Sequence, residues 1–332
     1  VRYRQKDANG QMSGGPMYYL EKGLGSKFLA CSFALFGIGV ALFGIGTFPQ
    51  VNAIADAAQL AFEVPKWTTG LILAVLVALI TVGGIESISR VSTKVVPFMA
   101  ALYVLTCLGV MYINAEQLPA VVHQILNAAF TTTAATGGFA GSVVMMSIRY
   151  GVARGVFSNE AGLGTAGIAQ AAGTTKSAVR SGLIGMLGTF IDTLIVCSVT
   201  GLAIVSSGVW SNGQSGAALS AAAFESAMPG FGGILLTIAL VIFAFTTILG
   251  WSYYGEKCWI YLVGTKSVLP FRLLWVIAVP FGAISQLDFA WLVADTLNGM
   301  MAIPNLLSLL LLSPVILKLT KEYFAEDDDA ES

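Results

Sequence analysis

Long apolar runs, cut at intervals by short charged stretches, constrain this chain more than any other feature. About 20 consecutive apolar residues cross the hydrocarbon core of a bilayer. Eight segments reach that class: 28–61, 68–88, 95–114, 137–172, 181–207, 230–262, 270–284 and 288–320. The segment 270–284 is short and is expected to extend a few residues upstream. The first and last are long for a straight crossing, and Pro49 and Pro304 are expected to kink or break them. A soluble fold would need polar side chains to cover its surface. Here 11% of 332 residues are charged and 56% are hydrophobic, so the solvent is mostly lipid. The expected fold is an all-α polytopic membrane protein.

The few charges orient the crossings, because Lys and Arg concentrate on the cytoplasmic side. Residues 1–27 carry Arg2, Arg4, Lys6, Lys22 and Lys27, whereas the next connection has only Lys66. Arg90 and Lys94 follow; 115–136 has no Lys or Arg; Lys176 and Arg180 follow; 208–229 has none. Lys257, Lys266 and Arg272 come next, 285–287 has none, and Lys318 and Lys321 close the series. The alternation places both ends in the cytoplasm, with the chain in the plasma membrane (the inner membrane of a bacterium). It divides the chain into a cytoplasmic loop 1–27, a transmembrane domain 28–320 and an acidic tail 321–332, disordered from Glu326 to Glu331. Residues 118–130 read as an outer interfacial helix and 208–229 as an external loop. The small-residue pairs Gly37/Gly39 and Gly182/Gly185/Gly188 suit close helix packing.

Composition also removes function classes. A net charge of −1 leaves no basic footprint for nucleic acid. Cys31, Cys107, Cys197 and Cys258 are scattered through apolar runs and read as buried thiols, and His123 is the single histidine. No Cys/His spacing suggests a transition metal, and no cofactor or enzyme activity is expected.

Polar groups at membrane depth are costly and mark function. The stretch from Gly151 to Thr165 holds Arg154, Ser158, Asn159, Glu160 and four glycines. A helix interrupted there must line a cavity or pack on protein, as midplane breaks do in transporters. Ser158 and Asn159 suit ligand contact. Glu160 can cap freed amides, pair with Arg154 or carry a coupling charge. Arg154 reads as a cytoplasmic-side gate or snorkelling residue. In the first segment Asn52, Asp56 and Gln59 share a face, with Gln50 to one side. They suggest the wall of an outward-opening cavity, with helix–helix bonding as the competing reading. In the sixth segment Thr246 and Thr247 suit Na⁺ if carbonyls are freed nearby, or else bond back to their own helix. Trp251 can close a small pocket. Asp192 needs a partner, structural or along an ion path; Glu86 and Arg90 are spaced for an ion pair; Asp295 and Asn298 read as gate or packing groups. Asn159, Thr246 and the Gln50 region fall within about two turns of their segment midpoints, so three helices bring polar groups to one level.

Phe157-Ser158-Asn159-Glu160-Ala161-Gly162-Leu163-Gly164 resembles the alanine/glycine:cation (sodium:alanine) symporter family. Tyr3-Arg4, Gly14 to Tyr19, the Gln50 helix, Gly83-Gly84-Ile85, Val96-Pro97-Phe98, Arg154-Gly155, Phe243 to Gly255 and Ile303-Pro304-Asn305 resemble it in the same order. Thr165-Ala166-Gly167-Ile168 departs slightly, since Ser-Ala-Pro-Ile is common there. The resemblance implies a LeuT-type inverted-repeat fold, with the eight segments as core helices three to ten. By the family's pattern an extra helix and the first two core helices precede Tyr3-Arg4, so the chain reads as N-terminally incomplete. Carried over residue by residue, Gln50, Ser158, Asn159, Thr246 and Trp251 are expected at the substrate, and Thr246, Thr247 and Asn159 at the ion. Arg154, Glu160, Asp192, Asn52 and Asp56 are expected to gate or to hold structure. The expected activity is Na⁺-coupled symport of alanine or glycine by alternating access. Proton coupling or a different substrate is the alternative within transporters. An ion channel is the alternative outside them, disfavoured because the polar clusters form no continuous charged pore.

Overall fold

The computed structural model describes residues 1–8, 10–130 and 140–331. It opens with a small antiparallel hairpin, β1 (Gln5–Lys6) and β2 (Met12–Ser13), which pairs Gln5 with Ser13 and Lys6 with Met12. A short helix, α1 (Pro16–Lys22), leads into α2 (Lys27–Phe43), whose Ser26 side chain caps the Leu29 N–H at 3.3 Å. The chain then breaks over Gly44–Thr47 and resumes as α3 (Phe48–Phe62), with Pro49 in its first turn. Proline is suited to that position because the first-turn N–H groups have no helical acceptor. The break expected at Pro49 is therefore present.

Two helices follow, α4 (Lys66–Thr81) and α5 (Gly84–Ile113), and then the amphipathic α6 (Leu118–Phe130). The fourth apolar segment is α7 (Ala140–Asn159) and α8 (Thr165–Ala171), separated by a break; its residues 137–139 lie outside the described residues. The fifth is α9 (Ala178–Thr189), a π-helical stretch Phe190–Cys197, and α10 (Ser198–Ser206). A surface helix, α11 (Gly216–Ala227), precedes the long α12 (Gly232–Val263). Last come α13 (Val268–Ile284), α14 (Leu287–Leu311) and α15 (Ser313–Glu331). The helix α13 gains residues 265–267 upstream as a 3₁₀ turn, as its short apolar run required.

Among the described residues, five helices are long and apolar enough to cross a membrane, or six if the bent pair α14–α15 counts as one. This is a multi-pass membrane protein. Two of the eight expected segments fall short of that test. The helix α4 has only 16 residues, and α7 carries Arg149 and Arg154 and stops at the break.

The main core lies where α2, α3, α12, α13 and α14 pack together around Phe33, Trp251, Phe271 and Trp275. A smaller cluster joins α5, α10, α11 and α12 through Cys107, Ala223 and Phe224. Outward-facing Leu79, Leu105, Leu194 and Leu310 are exposed, as lipid-facing side chains should be. Gly37 earns its place in the core: a Cβ there would sit 2.8 Å from the Cys258 sulfur. Gly182 and Gly188 have nothing within 4 Å, so the packing expected of them is not made among the described residues.

Several other expectations are corrected. The last segment bends at Leu312, by 57°, and not at Pro304, which lies inside α14. Pro314 marks the position: it has no N–H to bond the Leu310 carbonyl, so the helical ladder cannot run through the bend. No ion pair joins Glu86 to Arg90; instead Arg272 binds Glu256 through Nε at 2.7 Å and Nη2 at 3.2 Å and donates to the Val82 carbonyl at 3.0 Å. Cys197 is exposed, unlike Cys107 and Cys258. The backbone of the acidic tail continues α15 as helix to Glu331, where disorder was expected.

The terminal hairpin is tied to the bundle by charge. Lys257 on α12 is 1% exposed, and its Nζ lies 3.2 Å from Asp7, itself 5% exposed. Arg4 donates to the carbonyls of Ala171 (3.2 Å), Gly173 (2.6 Å) and Thr175 (2.8 Å), placing a cation at the negative end of α8. Removing one partner of a buried pair costs about 3–5 kcal/mol, because the other charge stays buried. Asp7→Asn is therefore expected to lower the thermal transition of the purified protein sharply. The double variant Asp7→Asn/Lys257→Met should recover most of the loss.

Glu225 at the end of α11 accepts the Gly230 N–H and, at 3.0 Å, the Gly233 N–H, so it caps the start of α12. These two backbone bonds hold its carboxyl below the usual glutamate range. The contribution is then complete above the unfolded glutamate value and is lost as pH falls through the lower folded value. Hydrogen exchange of residues 228–236 should be faster in Glu225→Gln than in the parent at neutral pH, and the difference should fade below the ordinary glutamate range.

Candidate functional site

The break between α7 and α8 is built from residues that tolerate a reversed backbone. Glu160, Gly162 and Gly164 have φ of 53°, 83° and 89°, all in the left-handed region. Glycine accepts this freely, whereas a side chain there is strained by roughly 1–2 kcal/mol. Glu160 is held in it from several sides. Its N–H bonds the Val156 carbonyl at 2.9 Å, its carboxylate accepts the Trp251 indole N–H at 2.9 Å, and it accepts the Thr165 hydroxyl. At Gly164 a Cβ would collide with Pro16 of α1 and with Asn305 of α14.

Several of the freed backbone groups find side-chain partners. Asn159 ends α7 and folds its Oδ1 onto the Ala161 N–H at 2.9 Å, while its Nδ2 donates to the Thr193 hydroxyl at 3.0 Å. Asn305 donates to the Gly162 carbonyl at 2.7 Å and accepts the Tyr19 hydroxyl. Ser158 donates to Asp192 at 2.7 Å and lies 3.3 Å from the Cys197 sulfur. Thr193 also donates to Asp192, at 3.2 Å.

A cavity of about 380 Å³ opens at this break, lined by Asn159, Glu160, Gly162, Tyr19 and Asn305 among others. A second cavity of about 440 Å³ lies under α11, but its walls are mostly alanine and leucine. The acid in that wall, Glu225, is already engaged with backbone amides. A polar ligand needs convergent polar groups, so the break is the stronger candidate.

The structure brings together Ser158, Asn159, Glu160, Asp192 and Trp251 from the expected set. Trp251 is buried, packs edge-on against Tyr254 at 5.4 Å and donates to Glu160, but it does not line the cavity itself. Gln50 is half-buried in the first turn of α3 and makes no hydrogen bond to the break. Thr246 donates to the Ile242 and Phe243 carbonyls and Thr247 to the Phe243 carbonyl at 3.0 Å, so both bond back to an unbroken α12. No carbonyl is freed beside them by a helix break. Asn52 serves packing, donating to the Ser285 carbonyl at 2.7 Å. Asp56 pairs with Lys66, and with Gln59 it lines a small cavity of about 180 Å³.

Arg154 is tied to α14. It pairs with Asp295 of α14 and stacks 4.0 Å above the Trp291 ring.

Tyr19, Thr193 and Asn305 were not singled out as site residues from the sequence. Asn305 had a signal, an amide inside an apolar run. Tyr19 had none, because its role depends on α1 folding under α14.

Residues 1–332 match the sodium:alanine symporter family. An uncharacterized transporter of Haemophilus influenzae is 50% identical over 326 residues, covering 98% of this chain and 72% of that protein. The sodium/alanine symporter AgcS of Methanococcus maripaludis is 46% identical over 331 residues, covering 97% of this chain and 72% of AgcS. The family and these relatives are transporters, not enzymes. A broken, polar helix inside a multi-pass bundle and a match over the whole chain lead to one conclusion: the protein belongs to the sodium:alanine symporter family.

Proposed function

We propose that this protein takes up alanine, and by the same site glycine, driven by Na⁺, through alternating access. The observation that carries the reading is the α7–α8 break, an interrupted helix in an apolar bundle with a cavity that Asn159, Glu160 and Asn305 help to line. The kinship with AgcS, named a sodium/alanine symporter, supports alanine as substrate and Na⁺ as coupling ion. No cofactor enters the scheme.

A zwitterion needs both an anion partner and a cation partner. Asn159 and Ser158 offer polar contacts at the break, Trp251 limits the side chain to hydrogen or methyl, and Gln50 and Thr246 complete the substrate set. Thr246, Thr247 and Asn159 are the ion contacts carried by the family resemblance. Their hydroxyl donation to helix carbonyls leaves oxygen lone pairs free for a cation. The Arg154–Asp295 pair serves as a cytoplasmic-side gate, and Asn52, Asp56 and Glu160 hold the frame. In this reading the eight segments are core helices three to ten of a LeuT-type fold, with 1–27 and 321–332 in the cytoplasm and the transporter in the plasma membrane.

The decisive measurement is radiolabelled alanine uptake into proteoliposomes holding the full gene product, with Na⁺ or choline outside. Uptake should require Na⁺; equal uptake in choline would replace this reading with proton coupling. Asn159→Ala is expected to cut uptake by about tenfold or more, the loss of a hydrogen bond to a charged group being ~1.5–3 kcal/mol. Gln50→Ala should do the same, with membrane insertion unchanged in both. Normal uptake in both variants would remove these residues from the site.

A further inference from the structure

Asn305 lies inside the apolar helix α14 and is 1% exposed, and both ends of its amide are spent. The Nδ2 donates to the Gly162 carbonyl at 2.7 Å, and the Oδ1 accepts the Tyr19 hydroxyl. A main-chain carbonyl only accepts, so Gly162 requires the nitrogen end of the amide. The oxygen end then needs a donor, and the Tyr19 hydroxyl is that donor. Without it, Oδ1 would be buried and unpaired, at the full cost of its desolvation. Turning the amide to relieve that cost would release the Gly162 carbonyl.

That carbonyl belongs to the interrupted stretch, where Gly162 has φ of 83°. Gly162, Asn305 and Tyr19 line the same cavity as Asn159 and Glu160. A hydroxyl outside the break therefore holds a main-chain oxygen within it.

Tyr19 is itself seated firmly. Its helix, α1, follows Gly14 and Gly15, which lie flush against α8. A Cβ on Gly14 would stand 2.6 Å from the Ala171 Cβ, and one on Gly15 would stand 2.5 Å from the Ile168 Cγ1. Gly15 also has φ of 119°, a value that side chains rarely adopt. The residues around Tyr19 fasten α1 to α12. The Tyr261 hydroxyl donates to Glu21 at 2.8 Å, and the Tyr18 and Tyr261 rings meet edge-on at 5.5 Å. Tyr19 thus reaches the break from a support that is tied to the core.

We infer that Tyr19 is a positioning residue of the uptake site: through Asn305, its hydroxyl fixes the Gly162 carbonyl and the course of the main chain from Asn159 to Thr165. The inference rests on the symport reading, in which that stretch receives the substrate.

The test uses the full gene product, with Tyr19→Phe and Asn305→Ala alone and together. Tyr19→Phe keeps the ring and removes only the hydroxyl. In the purified protein, hydrogen exchange at residues 161–167 should quicken about fivefold, as the loss of one net hydrogen bond allows. Exchange in α2 should match the parent. In proteoliposomes the alanine concentration for half-maximal uptake at saturating Na⁺ should rise by a similar factor, with the maximal rate close to the parent's. Adding Tyr19→Phe to Asn305→Ala should change neither readout further, because the relay is already cut. Parent-like exchange or parent-like half-saturation in Tyr19→Phe overturns the inference. So does quickened exchange that spreads to α2, the mark of general loosening, and so do additive effects in the double variant. If Asn305→Ala is not monodisperse, Tyr19→Phe alone decides. A parent whose alanine uptake ignores Na⁺ overturns the symport reading instead. The exchange comparison needs no transport, so it tests the relay separately.

Discussion

Backbone polar groups have no water to turn to inside a bilayer, and the architecture follows from how one interrupted helix meets that demand. Between Asn159 and Thr165 the regular ladder stops, and side chains take over its bonds. Asn159 covers the Ala161 amide, Asn305 covers the Gly162 carbonyl, and Glu160 gathers Thr165 and Trp251. Those partners come from α12 and α14 and, through Tyr19, from α1. The positions of three other helices are thereby fixed by what the break needs. The same economy makes the region polar enough to receive a charged solute.

The scarce charges follow a similar logic. Arg272 bridges Glu256 and the Val82 carbonyl, linking α13, α12 and the end of α4. Lys257 and Asp7 are almost wholly buried together, and Arg4 closes the end of α8. Each cation sits where one side chain can hold two elements. Dispersion among apolar side chains cannot specify register between helices as sharply, because lipid tails offer comparable contacts.

Much of this was legible in the residues. The apolar runs located the helices, Pro49 located a break, and the Gly151–Thr165 stretch located the interrupted helix with its polar end. Local chemistry controls those features, so local reading suffices. The partner of Arg154 was not legible, because Asp295 is 141 residues away. The bend was placed at Pro304 and occurs beside Pro314, because a proline inside a packed apolar helix is tolerated when neighbours hold it. Thr246 and Thr247 illustrate a different limit. A hydroxyl in an apolar helix can bind a ligand or its own helix, and only the backbone geometry around it decides.

The clamp made by Arg4 has a consequence for how the chain is put together. Its acceptors are carbonyls at residues 171, 173 and 175, and the neighbouring Asp7 waits for residue 257. A ribosome delivers those partners only after several further hydrophobic segments have been made. Until then the first hairpin carries its Arg and Asp in water, where both are well solvated. The ties that hold it are therefore among the last to close during synthesis. Because Arg4 grips main-chain oxygens, it responds to whether that helix end has formed and not to which side chains the helix carries.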